Sequence, residues 1–263
     1  MTRGADKSLR AIVLVSAGRH PVSGRPAPVR GEAQAVRLAT EIGAAVEGLH
    51  AGAADAAVGD LLGQGLSRIE LLEIPAEADP VAALGARLGS APPDLILAGR
   101  QGQGGEDSGL LPYAIAHRLG VEIVADAVAL ARDPARPDVL VVEQALPRGE
   151  RRRVTVRLPV VVTIHPSAPP PLPFAFGAAR RGHLDVVRGA TSPLADRTIE
   201  ERPYRKRPKL MAGAATAGSA ADRLKAATEA ASGAGRVLKN PPPEEAAREI
   251  VAYLKSLGVL KAR

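Results

Sequence analysis

The chain has 263 residues, a formal net charge of +7, no cysteine and almost no aromatic residues, while 46% of its residues are apolar. That apolar share suffices for a real core, in one large domain or in a domain with an appendage. Without cysteine there is no disulfide, no thiolate metal site and no cysteine nucleophile, a state compatible with the reducing cytoplasm where the chain is expected to work.

The run Ala11 to Ser16 is too short to cross a bilayer and lacks a following small-residue cleavage site, so neither a signal peptide nor a membrane span is expected. It predicts instead a first buried strand. His20 to Arg30 is broken by proline and glycine and reads as a loop. From Glu32 to Ile42 apolar residues recur at helical spacing, closed by Gly43. Ala45 to His50 predicts a second strand, Ala53 to Gly65 a helix weakened by glycine, and Arg68 to Ile74 a third strand. Pro80 to Leu88 follows as a helix, with Asp79 as its N-cap and Pro80 at the first position.

Asp94 to Gly120 carries the most information. Leu95 to Ala98 is a strand, Gly99 to Gly109 a glycine-rich turn, and Asp107-Ser108 a cap for a helix that ends at Gly120. Bare N–H groups and a positive helix end at the mouth of a parallel sheet suit an anion such as a phosphate. Here the backbone amides and Ser108 would meet phosphate. Gln101 would hydrogen-bond a base or ribose, and Arg100 would supply charge or merely flank the turn. Alternating strands and helices predict an α/β fold with a mainly parallel, doubly wound, Rossmann-like sheet. Right-handed crossovers then gather loops 17–31, 51–54 and 99–108 at one sheet edge. Ser16, Ala51 and Gly52 fall at strand ends beside that loop, with Gly104, Gly105 and Asp107 in it.

After Gly120 the pattern becomes antiparallel. Ala125 to Arg132, Asp138 to Leu146 and Arg151 to Leu158 predict an added β-hairpin region, and Val160 to Ile164 another buried strand. Proline from Pro166 to Pro173 forbids regular structure. The expected organisation is a nucleotide-binding α/β domain over 1–188, a flexible basic and Ala/Gly linker over 189–236, and a C-terminal arm over 237–263. In the arm, Ala247, Ile250, Val251, Leu254 and Leu257 form one apolar stripe that would dock on a partner subunit or on the chain's own domain. The five histidines are scattered without metal-ligand spacing, and no nucleophile–base cluster is apparent, so no metal site and no catalytic residue is assigned. The arginine clusters lack interleaved aromatics, so solvated charge or an acidic protein partner is expected rather than nucleic acid.

These residues resemble the β subunit of electron-transfer flavoprotein. DLILAGRQ is similar to that family's DLVLLGKQ, followed as there by an Asp-Ser-Gly. VEQALPRGERRRVTVRLPVVVT is similar to its hairpin signature, Leu172-Pro173-Phe174 to its Leu-Pro loop, and PPPEEAAREIVAYLKSLG to its C-terminal helix. Departures are present. Pro147-Arg148-Gly149 replaces an acidic Asp-Gly-Gly turn, and the acidic run of the nucleotide loop is diluted. The segment before Leu172 is shorter and richer in proline.

The resemblance implies an electron carrier subunit without catalytic residues of its own. It implies pairing with an FAD-bearing α subunit, a bound AMP (or a second flavin in its place), and docking of a flavoprotein dehydrogenase at Leu172, Pro173 and Phe174, with electrons passing on to the respiratory chain. The departures imply a divergent member serving a dedicated dehydrogenase. Two other functions compete: an adenylating enzyme of the ATP-pyrophosphatase type, because Gly104-Gly105-Glu106-Asp107-Ser108 is similar to that loop, and a stand-alone nucleotide-binding module. Gln103 in place of the first loop serine, and the loop's place after the fourth strand, oppose the adenylating reading.

Overall fold

Every residue of Leu95–Gly99 is buried, and so is every residue of Val160–Ile164, so these segments must be covered on both faces. The computed structural model describes residues 8–103, 107–192 and 241–256. The chain divides into two units, Met1–Thr198 and Ile199–Arg263.

The first unit contains β1 (Arg10–Leu14), β2 (Ala45–Gly52), β3 (Arg68–Glu73), β4 (Leu95–Gly99), β5 (Glu122–Asp133), β6 (Arg136–Ala145), β7 (Arg151–Arg157), β8 (Val160–Ile164) and β9 (His183–Arg188). They form one nine-stranded sheet in the order β7-β6-β5-β8-β4-β1-β2-β3-β9. From β8 to β9 all neighbours run parallel. β5 pairs in parallel with β8 through its first residues and antiparallel with β6 through its later ones, with a register shift between Val124 and Ala127. β6 and β7 complete the antiparallel wing. The fold is therefore the expected α/β sheet with an added hairpin.

The two-residue strand period sorts side chains between two layers. Ala11 and Val13 of β1, Leu95 and Leu97 of β4, and Val160 and Val162 of β8 pack with helix α1 (Arg30–Glu41) and a 3-10 turn (Asp60–Gln64). Leu14, Ile96, Ala98 and Val161 pack on the opposite face with α3 (Pro80–Ser90) and α4 (Leu111–Leu119). Asp79 caps α3 as expected: its Oδ1 accepts from the Val81 N–H at 2.9 Å.

Three expectations change. The helix anticipated over 53–65 is a single turn, α2 (Ala56–Gly59), capped by Asp55 and continued by the 3-10 turn. Two of its glycines serve close approach instead: a Cβ on Gly63 would fall 2.2 Å from the Phe174 ring, and one on Gly65 2.8 Å from Leu172 Cδ1. The proline-rich segment is followed by a short helix, α5 (Phe176–Arg181), and by β9, neither of which was anticipated. β9 is largely exposed, so no burial period announces it. It exists because the edge of β3 offers backbone partners, extended at the two ends by His183 N–H to Ser67 O at 3.0 Å and Gly189 N–H to Glu73 O at 2.9 Å. Finally, Asp107-Ser108 does not cap α4, which starts at Leu111 with Pro112 in its first turn and no side-chain cap.

In the second unit the described residues form one helix, α6 (Pro243–Ser256), with Glu244 and Glu245 at its positive end. Its Ile250 and Val251 are exposed. Among the described residues no helix is long and apolar enough to cross a membrane.

Candidate functional site

β1 has β2 on one side and β4 on the other. The chain steps from β1 to β2 and β3 on one side and returns from β3 through α3 to β4 on the other, and at such a switch point a crevice opens beyond the carboxyl ends of the strands. A cavity of about 500 Å³ lies there, lined by Ala17, Arg19, Gln101, Gly102, Gln103 and Asp107. It falls within the usual size range of small-molecule sites.

Ser16 follows β1 and is a hydrogen-bond hub next to the cavity-lining residues Ala17 and Gln103. Its N–H donates to Glu32 Oε2 at 2.9 Å, its Oγ lies 2.5 Å from Glu32 Oε1, and its Oγ accepts the Gln103 N–H at 3.0 Å. Glu32 sits in the first turn of α1 and is 2% exposed. Burial pushes its carboxyl from the ordinary 4.5 up to about 8, against the opposing pull of the Ser16 bonds, so it is mostly protonated at neutral pH. α1 reaches this position because Gly31 lets its backbone touch β4: a Cβ there would fall 3.3 Å from the Gly99 Cα.

The rim is polar and charge-balanced. The Arg19 guanidinium pairs with Asp55 at 2.6 Å and, with the Ala57 N–H, holds that carboxyl below its ordinary range. The Arg19 N–H donates to Gln103 Oε1 at 2.8 Å, tying the loop after β1 to the loop after β4. Gln101 Nε2 donates to the Asp107 carbonyl and closes the latter loop on itself. Asp107 and Gly109 both have positive φ, and a Cβ on Gly109 would fall 2.8 Å from the Arg100 carbonyl oxygen. Ser108 Oγ accepts the Leu110 N–H at 3.3 Å. Arg100 lies 3.5 Å from Asp126 Oδ1 of β5. Ala51 and Gly52 end β2 on the same sheet edge. Gly104 and Gly105 lie outside the described residues.

The structure thus places Gln101 and Asp107 on the cavity wall, with Ser16 bonded to the neighbouring Gln103, Gly99 at the end of β4 and Arg100 engaged by β5. It adds residues that sequence reasoning passed over. Glu32 is one. Its signal was a carboxylate on the face of α1 that also carries Val36 and Ala39. His50 is another. Its buried Nδ1–H donates to the Val15 carbonyl at 2.9 Å, which leaves Nε2 as an acceptor with no partner, beside Gly52.

Leu172, Pro173 and Phe174 form a separate group on the 3-10 turn. The segment before them is clamped to α1. Gln34 Nε2 donates to the carbonyls of Ala168 at 2.6 Å and Pro169 at 3.1 Å, and Arg37 to that of Pro170 at 2.9 Å. Leu172 is half-buried, its Cδ1 over Gly65. Phe174 and Phe176 remain 52% and 70% exposed. No group of three or more His, Asp or Glu among the described residues is placed to hold a metal.

Small residues, amide side chains and a guanidinium line the crevice, which suits a small ligand rich in hydrogen-bonding groups. Residues 25–191 match the profile of the electron transfer flavoprotein domain. Over 261 residues the chain is 39% identical to the electron transfer flavoprotein subunit beta of Chromohalobacter salexigens, a match that spans 97% of each chain.

Proposed function

The chain belongs to the electron transfer flavoprotein family as a β subunit, and from that premise we propose that it holds an AMP in the crevice between β1 and β4 while an α subunit carries most of the FAD. The observation that carries this reading is the crevice itself, at the switch point of the sheet, roofed by the glycine loop and tied down through Ser16 and Arg19. AMP would place its phosphate against the amides of the loop that follows β4, and its adenosine along Ser16, Ala51 and Gly52. At that site AMP supplies shape and charge, and the redox chemistry belongs to the flavin.

The same reading gives the segment Leu172 to Phe174 the task of meeting a flavoprotein dehydrogenase. A loop already clamped by Gln34 and Arg37 loses little conformational freedom on docking, which supports that role. α6, with its exposed apolar residues, would pack on the α subunit. Electrons received at the flavin would pass on to the respiratory chain.

The test is to produce the chain together with an α subunit, purify the complex, and analyse its absorbance and the nucleotides released by acid. A yellow complex that yields FAD and AMP is expected; a colourless complex without adenylate would refute the proposal. In that complex Leu172→Ala is expected to leave the flavin content intact and to slow reduction by the dehydrogenase. Unchanged kinetics would remove Leu172 from the docking surface.

A further inference from the structure

We propose that Glu32, as the neutral acid, is the positioning residue that leaves the hydroxyl hydrogen of Ser16 free to meet an anion under the glycine loop, and that its ionisation releases the bound nucleotide. This inference rests on the adenylate reading above.

The argument is one of valence. A serine hydroxyl donates one hydrogen bond and accepts two. The Gln103 N–H occupies one lone pair of Ser16 Oγ at 3.0 Å. The 2.5 Å contact with Glu32 Oε1 takes either the second lone pair or the hydrogen. When Glu32 carries its proton, that proton is donated to Oγ, and the hydroxyl hydrogen of Ser16 is left as a donor for an anion in the crevice. When Glu32 is ionised it can only accept. Ser16 must then turn its hydrogen inward, so the crevice loses a donor and gains a negative charge beneath Gly102. A Cβ on Gly102 would fall 3.2 Å from Ser16 Oγ and 3.8 Å from Glu32 Oε1, so the loop rests directly on this pair.

Of the charged and titratable groups on the surrounding elements, Arg19 pairs with Asp55, Arg100 with Asp126, and His50 with the Val15 carbonyl, while Arg30 at the start of α1 is exposed. The upward shift of Glu32 comes from burial and is opposed by the Ser16 bonds, with no contribution from a neighbouring charge. Ionisation of Glu32 therefore meets no compensating cation.

The experiment uses the full chain in its complex with the α subunit, stripped of nucleotide, and measures AMP binding by calorimetry from pH 7 to 9.5. The second ionisation of a phosphate has its midpoint near pH 6, so the ligand is already mostly the dianion throughout this window. Wild-type affinity is expected to fall about tenfold per pH unit above pH 8.5. Glu32→Gln mimics the neutral acid at every pH, with its carbonyl toward the Ser16 N–H and its amide toward Oγ. It is expected to bind AMP as tightly as the wild type at pH 7 and equally tightly at pH 9.5.

A Glu32→Gln variant whose affinity follows the wild-type pH profile would overturn the inference while leaving the adenylate reading intact. A wild-type complex that binds no AMP at any pH would refute the adenylate reading and this inference with it.

Discussion

Glu32 is held in a place where its charged form is costly, and that cost appears in stability. Its carboxyl ionises near 4.5 when the chain is unfolded and near 8 when it is folded. Below pH 4.5 both states are protonated and its contribution is fully present. Between these values the folded state binds the extra proton, so stability falls as pH rises, and above pH 8 the loss is complete. At about 1.4 kcal/mol per pH unit the effect amounts to a few kcal/mol. Urea unfolding of wild type and Glu32→Gln at pH 5 and pH 9 is expected to show the wild type losing this stability relative to the variant.

Gly65 is the second residue under constraint. Its φ is +111°, and a Cβ would fall 2.8 Å from Leu172 Cδ1. Gly65→Ala is expected to cost about 1–2 kcal/mol for backbone strain, and more for the collision with Leu172. A variant as stable as the wild type would show that Leu172 does not rest there.

At the level of elements, α1 does two jobs with neighbouring turns. Glu32 faces the crevice, and two residues on Gln34 turns to the proline-rich segment. Gln34 is fully buried and its amide serves carbonyls that have no helix or strand to satisfy them. Gln34→Ala is expected to cost about 1–3 kcal/mol by stranding those carbonyls. It should also slow dehydrogenase-dependent reduction, because it loosens the segment that carries Leu172. α3 gives a cleaner case: Asp79→Ala removes one capping bond and is expected to cost about 1 kcal/mol, with no effect on nucleotide or flavin content. β9 shows the opposite dependence. Its own side chains do little burying, and its place is set by the backbone edge of β3 and by the Arg68–Asp185 pair at 2.5 Å.

For the whole molecule, the two units carry different kinds of information. The sheet unit has both its apolar layers filled. The helix of the second unit keeps Ile250 and Val251 exposed. Ile250→Asp is therefore expected to leave the unfolding midpoint of the isolated chain unchanged and to weaken co-purification with the α subunit. Retention of a full-strength complex would place the subunit contact elsewhere.

The order of strands and helices up to Gly120, the cap at Asp79, the helix end at Gly120 and the antiparallel wing were all legible in the sequence. Each is set by local chemistry: apolar period, proline and glycine geometry, and capping side chains. The family was legible for the same reason, since its signatures are short contiguous runs. Glu32 on Ser16, Gln34 on the proline-rich carbonyls, His50 on Val15 and β9 on β3 were decided only by the tertiary structure. In each case the partner lies many residues away, and a buried acid, a buried amide or an exposed edge strand takes its role from what packs beside it rather than from the residues next to it in the chain.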